Sequence, residues 1–493
     1  MLNSCGLSTP LLASAVLLFY ILWSYISTIY FSPLSAFPGP RLAATTIWWQ
    51  VLQKKRGSMS KTLRDLHMKT GQTIFRVAPN QLSFWDPDAY REIYINQKFL
   101  KEPDFYGAFS LPLNTRSTFG HYKPELYTPL RRQAFTLFSR QSMVSLEPLF
   151  HEKLNIFVTR LPSGKEVNLF DAFRCLTMDT ATQFSFGTSS ECLQAEDFKA
   201  PATSVYDEYA SGLCFRLYFP MFIWFLEYLP RWMKPYWQRG YSDLKQSAIV
   251  ALERYRTGSR DHKYPVLFAY HFETNSPLTD DELCCEGATY IGAGGDTAGI
   301  TLSVGCSYLA RNPTVQEKLV QELQTAYPIR NDVLTAHWSD LEKLPYLSAC
   351  VYESLRISVP VAGDLPRVVG PRGWNFKGVA IPPGTIVGCS ATAVHLDSSI
   401  FPEPEVFKPE RWIEEDGSIS KTLESWLVSF SKGPRSCIGQ TMAMAQLYIY
   451  FAAFVRLYRA EPAHKDQPVV LYDFFTTIPE DGCCNVVLTP REH

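Results

Sequence analysis

The chain has no C-x-x-C pair, no N-x-S/T sequon, no low-complexity linker, no internal repeat and no marked excess of either charge. Each absence removes a class of protein. Without cysteines at ligand spacing there is no zinc finger or ribbon. Twelve cysteines, scattered singly apart from Cys284–Cys285 and Cys483–Cys484, do not form a disulfide framework in 493 residues, so most read as small core residues. With 47 Lys+Arg against 48 Asp+Glu, and no basic stripe interleaved with aromatics, nothing points to a nucleic-acid partner. The missing sequon favours a body that faces the cytosol. What is present is apolar: 46% hydrophobic and 14% aromatic residues suffice for a large core.

Charge is also missing locally, since no residue from 1 to 40 carries one. Within that stretch "LLASAVLLFYILWSYISTIYF" (11–31) matches the roughly 20 residues a helix needs to cross a bilayer. A cleaved signal peptide is the competing reading. Against it, the apolar run is long, the basic leader is absent and no clear small-x-small site follows. Residues 1–31 therefore read as a single membrane anchor. Arg41, Lys54, Lys55 and Arg56 follow it and nothing basic precedes it, which places the C-terminal body in the cytosol. Residues 32–57, with "FSPLSAFPGPR", read as a stiff extended hinge and basic flank, and 58–493 as the body.

In the body, short β-rich runs such as "TIFRVAPNQLSFW" mix with helical pieces up to about residue 110, and most of 125–355 then reads as helix. After 360 come strands and loops punctuated by Pro and Gly, then a last helix beginning near Ile438. The class is α+β, mainly α, with a minor β portion. The clearest helix starts at Thr279, where Glu282 completes a capping box, and runs to Arg311 before "NP". Its stretch "IGAGGDTAGI" carries Gly292, Gly294, Gly295 and Gly299, although each interior glycine costs roughly 1 kcal/mol against alanine. Something must approach that backbone. The aromatic stretch "SGLCFRLYFPMFIWFLEYLPRWMKPYW" (211–237) reads either as buried core or as helices dipping into a bilayer surface above an opening for apolar ligands.

The chemistry sits near the C-terminus. In "FSKGPRSCIGQ", Phe430, Gly433, Arg435, Cys437 and Gly439 fit F-x-x-G-x-R-x-C-x-G. Glycines let backbone N–H groups turn toward a sulfur, and a helix N-terminus just beyond favours negative charge there. Cys437 is thus a candidate thiolate ligand to iron, as in haem-thiolate proteins.

On these residues the sequence resembles the cytochrome P450 family over nearly its whole length after the anchor. "ESLR" supplies Glu353 and Arg356, and "FKPERW" supplies Arg411; the resemblance implies that the three form an ion network behind the haem. "AGGDT", Ala293 to Thr297, matches the family's oxygen-binding pattern. It implies that the glycines leave room for dioxygen and that Asp296 and Thr297 relay protons to it. The haem propionates need basic partners, for which Arg435, Arg367, Arg131 and the adjacent Arg132 are the candidates by motif position. Tyr127 stands where relatives often carry Trp or His, and its phenol retains a donor. Thr289, Gly292 and Ala293 on the long helix, with Val361, Asp364 and Leu365 after "ESLR", are the substrate-lining candidates; the 105–120 segment and "FFTTIP" would close the sides. Asp364, alone among apolar neighbours, either meets a hydroxyl or amine on the substrate or turns to solvent.

The resemblance implies a monooxygenase with haem b held by an axial thiolate, dioxygen as co-substrate, and electrons from NADPH through cytochrome P450 reductase, with cytochrome b5 as a second donor. It implies a single-pass endoplasmic-reticulum protein whose catalytic domain faces the cytosol. "FPGPRLAA", "LRRQAFTLFSRQSMVSLEPL" and "LPRVVGPRG" resemble fungal enzymes of secondary metabolism, in particular the trichodiene oxygenase group, so a terpenoid or related apolar metabolite is the expected substrate. A haem-thiolate isomerase would tend to lack the Asp296–Thr297 pair, and a non-catalytic haem carrier would consume no NADPH. "GAGGDT" is not a nucleotide loop, since it fails G-x-G-x-x-G and no strand leads into it.

Overall fold

Helix α1 (Thr9–Ile26) opens the computed structural model, which describes residues 9–97, 99–110, 115–258, 262–273 and 278–492. Residues 1–8 of the expected anchor, 111–114 of the segment expected beside the ligand, and His493 lie outside the described residues. α1 continues through a wider turn to Phe31, and Leu11–Phe31 is long and apolar enough to cross a membrane. Leu12, Leu17, Phe19 and Trp23 are all exposed, unlike the side chains of a core helix.

The segment 32–57 is not an extended hinge throughout. It contains a short helix at Arg41–Thr45 and α2 (Trp48–Lys55), whose Trp49 and Val51 are buried. Arg76 stitches it to the body. Its N–H donates to Pro38 O at 2.7 Å, and its guanidinium reaches Thr28 O (2.9 Å) and Ser32 Oγ (3.1 Å). Gly39 lies against the Arg76 carbonyl, where a Cβ would collide. Prolines remove donors from this segment but leave its carbonyls and apolar faces free to pack. The body therefore begins well before residue 58.

α3 (Met59–Thr70) ends on Gly71, whose φ of +68° gives a left-handed cap. The hairpin β1 (Ile74–Ala78) and β2 (Gln81–Phe84) follows, then the short β3 (Leu100–Lys101). Next come α4 (Pro124–Leu137), α5 (Leu169–Phe186), α6 (Pro201–Ser211), α7 (Leu213–Tyr218), α8 (Pro220–Glu227) and α9 (Tyr236–Thr257). α10 (Asp280–Arg311) has the predicted capping box: Thr279 Oγ1 accepts from Glu282 N at 3.3 Å and Glu282 Oε2 accepts from Thr279 N at 2.8 Å. α11 (Pro345–Ser358), β4 (Arg367–Val368), β5 (Ile386–Cys389), α12 (Gln440–Leu457) and the hairpin β6 (Leu471–Phe474) and β7 (Thr476–Pro479) complete the set used below.

The class is the expected mainly helical α+β. The main core gathers α5, α10, α11 and α12, with Phe173, Leu302, Leu355 and Phe451 buried among them. The largest sheet has the order β1-β2-β5-β4-β3, with β2 and β5 parallel and the other pairs antiparallel. Its register sets Lys101 beside Arg367. The aromatic stretch beyond α7 is not core: Met221, Phe222, Trp224, Phe225, Tyr228 and Trp232 are exposed.

Candidate active site

α10 has two unlike faces. A Cβ on Gly292 would strike the Tyr206 ring of α6; on Gly295 it would fall 2.8 Å from Met178 Cε, and on Gly299 3.0 Å from the Thr177 hydroxyl of α5. These glycines admit neighbouring helices rather than dioxygen. Gly292, buried under Tyr206, does not line an open face, which corrects its reading as a lining residue. Tyr290, Ala293 and Thr297, at i, i+3 and i+7, form the other face, where Ala293 is exposed and its two companions are half-buried. The Thr297 hydroxyl donates to Ala293 O at 2.7 Å. Thr289, half-buried, donates to Cys285 O at 2.7 Å.

Asp296 belongs to the packed face. Its Oδ1 accepts from Arg174 Nε at 2.8 Å, while the two Arg174 Nη atoms bind Asp207 at 3.2 and 2.7 Å. Burial raises the Asp296 carboxyl above its ordinary value, against the pull of Arg174; the two carboxylates hold the Arg174 guanidinium charged despite its burial. Expected beside Thr297 at the oxygen, Asp296 instead points into α5. The helical period separates neighbours in sequence by about 100°.

The Cys437 loop is held from several sides. Cys437 N donates to Phe430 O at 2.8 Å. Gly433, at φ +75°, sits where a Cβ would collide with Tyr94 O, so only glycine fits. α12 starts at Gln440 with Gly439 as N-cap, two residues after the expected Ile438, so its N-terminus stands directly after Cys437 in the chain. A Cβ on Gly439 would lie 3.9 Å from Sγ. Cys437 alone among the described cysteines is exposed. Tyr290 of the open stripe stacks on Phe138 at 5.6 Å, and a Cβ on Gly439 would lie 4.0 Å from that same ring, so stripe and loop are neighbours. Burial nevertheless holds the thiol above its ordinary value, against the Gly439 N–H, the Arg131 charge and the Gln440 N–H. A coordinating metal deprotonates a thiol outright.

Four cations converge nearby. Lys101, 4% exposed, donates to Phe119 O at 2.5 Å, with the rings of Tyr106, Phe119 and Tyr127 at 4.4, 4.9 and 5.3 Å. Arg367 donates to Tyr106 Oη at 2.7 Å, Arg131 to Ser436 Oγ at 3.4 Å, and Arg435 lies 3.4 Å from the Tyr127 ring centre. Burial, then Arg435, Arg367 and Arg131, push Lys101 well below its ordinary value. The carboxylate whose field reaches it, Glu286, is held by the N–H and hydroxyl of Thr118 instead. Among the described residues none of the four cations has a carboxylate in ion-pair range. Haem, with two anionic propionates and an iron that takes a thiolate, fits this donor set. Two expectations change. Tyr127 spends its hydroxyl on Pro434 O at 3.1 Å, making it a support for the loop, and Arg132, exposed, makes no contact with the cluster among the described residues.

Behind the loop, Glu353 accepts two bonds from Arg356 at 2.8 Å, one from Arg411 Nε at 3.2 Å, one from Trp412 Nε1 at 2.8 Å and one from Lys408 N at 2.8 Å. Arg356 also binds His395 O at 3.0 Å, and the His395 ring accepts from Val428 N at 3.0 Å. Burial, then the Arg356 charge, push His395 down to about 3, which keeps it an acceptor. Ser429 Oγ donates to Leu355 O at 2.9 Å. The loop thus hangs from α11 directly through Ser429 and, by way of His395, through Val428, just ahead of Phe430.

Val361, Asp364 and Leu365 are all half-buried; Val361 bridges to Thr476, and Phe475 packs on Phe105 and Phe109 at ring distances of 5.6 and 5.0 Å. Sequence reasoning missed Lys101, Arg174 and Glu286. Arg174 and Glu286 are single charges among apolar neighbours, the signal that would have found them, whereas Lys101, followed directly by Glu102, carries no such signal.

The Cytochrome P450 family model matches residues 38–483. Among curated proteins, the chain is 30% identical to the cytochrome P450 monooxygenase macH of Penicillium terrestre, covering 92% of each chain. It is 27% identical to aneF of Aspergillus aculeatus, covering 88% of this chain and 90% of that one, and 30% identical to BOT1 of Botryotinia fuckeliana, covering 90% of each; both also bear the name cytochrome P450 monooxygenase.

Proposed function

Because the chain belongs to the cytochrome P450 family and is a monooxygenase of that family, we propose that it hydroxylates or otherwise oxidises an apolar small molecule, a terpenoid or related fungal secondary metabolite, at a haem held by Cys437. The observation that carries this is the exposed Cys437 thiol beside four cations, Lys101 and Arg367 buried and Arg131 and Arg435 half-buried, none of which has a carboxylate in ion-pair range among the described residues. When bound, haem supplies dioxygen activation and C–H oxidation. The residues do the rest. Arg435, Arg367, Arg131 and Lys101 hold the propionates, and Glu353, Arg356 and Arg411 keep the loop in place. Phe430 and Gly439 orient the sulfur. The Thr297 hydroxyl, on the open stripe of α10, would serve there as a proton donor. Asp296, on the packed face of that helix, holds Arg174 rather than facing that hydroxyl. Ala293, Thr289, Val361 and Leu365 border the substrate and exclude water.

The exposed apolar helix to Phe31 and the exposed aromatics of α8 support an endoplasmic-reticulum anchor with the body on the cytosolic surface. There NADPH-cytochrome P450 reductase and cytochrome b5 would supply electrons. The substrate assignment draws support from the fungal relatives and from the apolar lining.

The test is the carbon monoxide difference spectrum of the reduced protein, wild type beside Cys437→Ser. A strongly red-shifted Soret band in wild type alone is expected. Its absence from folded, haem-loaded wild type would remove the thiolate and the proposal with it. NADPH consumption with reductase then separates a monooxygenase from a haem carrier.

A further inference from the structure

Two of the four cations near Cys437 end on one short turn. His121 N donates to Ser117 O at 2.9 Å and Gly120 N to Ser117 Oγ at 3.3 Å, which closes residues 117–121 into a compact unit. Two of its carbonyls hold cations of the cluster: Phe119 O accepts from Lys101 Nζ at 2.5 Å, and His121 O from Arg435 Nη1 at 3.5 Å. Both cations keep further donors for an anion.

The turn itself is gripped by α10. One oxygen of Glu286, 2% exposed, accepts both the N–H and the hydroxyl of Thr118, and the Cys285 thiol adds a long contact to Thr115 O at 3.6 Å. Arg116 contributes long bonds, to Gly120 O at 3.3 Å and to Pro103 O at 3.4 Å. Beyond the segment lies a cleft of about 300 Å³, bordered by Thr115, Arg116 and His121 and by Asp281 and Glu282 of α10. Packed protein therefore does not back the turn on that side. A neutral acceptor would satisfy Thr118, but charge-assisted bonds are roughly twice as strong as neutral ones. What they fix here is the placement of two cations.

We propose that Glu286 is a positioning residue for haem: by gripping Thr118 it fixes the 117–121 turn, and through Phe119 O and His121 O it sets Lys101 and Arg435 for the propionates. This rests on the assignment of those cations to the propionates and adds a residue that itself touches neither haem nor substrate. Without the grip the turn swings toward the cleft, and Lys101 and Arg435 lose fixed acceptors. The propionates then meet two cations spread over several positions instead of one preorganised pair.

The test uses the haem-loaded full chain and the rate of haem transfer to apomyoglobin. Glu286→Ala should release haem on the order of tenfold faster, and Thr118→Val, which keeps the N–H, about threefold faster. Glu286→Gln retains an acceptor and should stay within about twofold of wild type. The propionate bending bands of the resonance Raman spectrum should move in Glu286→Ala and keep their wild-type place in Glu286→Gln. A double-mutant cycle with Lys101→Met decides the route. If Glu286 acts through Lys101, Glu286→Ala should add less than about threefold in that background, whereas independent effects multiply. Multiplying effects, or propionate bands unmoved in Glu286→Ala, would overturn the proposal and leave Glu286 a packing support alone. Should Glu286→Ala fail to fold, Thr118→Val takes its place in the cycle and in the spectra, and the same two results decide. Unchanged transfer in Lys101→Met would also overturn it. A wild type that holds haem without the thiolate carbon monoxide band refutes the monooxygenase reading instead, while the cycle still judges Glu286.

Discussion

Replacing Glu286 by Gln isolates a charge that the fold holds at a disadvantage. Glu286 is 2% exposed on α10, with one oxygen held by Thr118 and the other without a partner. Burial raises its carboxyl from 4.5 to about 7, and the Thr118 bonds pull only partly back. The sign follows from proton counting. Between 4.5 and about 7 the folded chain keeps a proton on Glu286 that the unfolded chain has released. Folding stability from this group is thus intact below 4.5 and falls as pH rises to about 7, beyond which it is flat. At about 1.36 kcal/mol per pH unit, that interval bounds the loss at about 3 kcal/mol. Glutamine keeps the acceptor for Thr118 and does not titrate. The thermal midpoint of Glu286→Gln, followed by far-ultraviolet circular dichroism, should approach or exceed that of wild type as pH goes from 5 to 8. Parallel midpoint curves for the two proteins over that range would refute the reasoning.

Two further outcomes are expected. Gly292→Ala, driving a methyl into the Tyr206 ring, should destabilise by about 1–3 kcal/mol, whereas Gly294→Ala, whose methyl would meet only Ala181 Cβ at 3.3 Å, should be neutral or stabilising by up to about 1 kcal/mol; equal thermal midpoints for the two variants would contradict the packing role of Gly292. Lys101→Met should relieve repulsion among cations in the haem-free protein and weaken haem retention about tenfold or more, read as the rate of haem transfer to apomyoglobin; unchanged transfer would remove Lys101 from the propionate site.

What could be read in advance was whatever lies close together along the chain. The Thr279–Glu282 cap, the span to Arg311 and the spacing from Phe430 to Gly439 are local, and the structure reproduces each of these elements. Glu353 and Arg356 share one turn, so their pairing was legible, although Trp412 and His395 were not. Lys101 gains its meaning only when β3 pairs with β4 and sets it beside Arg367. Arg174 and Asp296 are joined by the crossing of α5 and α10. The glycines of α10 announced a close approach without saying whose, and dioxygen was the wrong answer for Gly292. The prolines of 32–57 announced missing donors, which says nothing about where Trp49 and Val51 pack.

The interlocking of α10 with its neighbours bears on how such a molecule can diverge. Where a glycine on one helix receives a ring or thioether from another, the two positions behave as a single unit of change. Enlarging Gly292 alone leaves Tyr206 nowhere to go, and shrinking Tyr206 alone opens a void. Selecting for altered ligand preference should accordingly recover paired exchanges at 292 with 206 and at 295 with 178, while the stripe carrying Ala293 drifts one residue at a time.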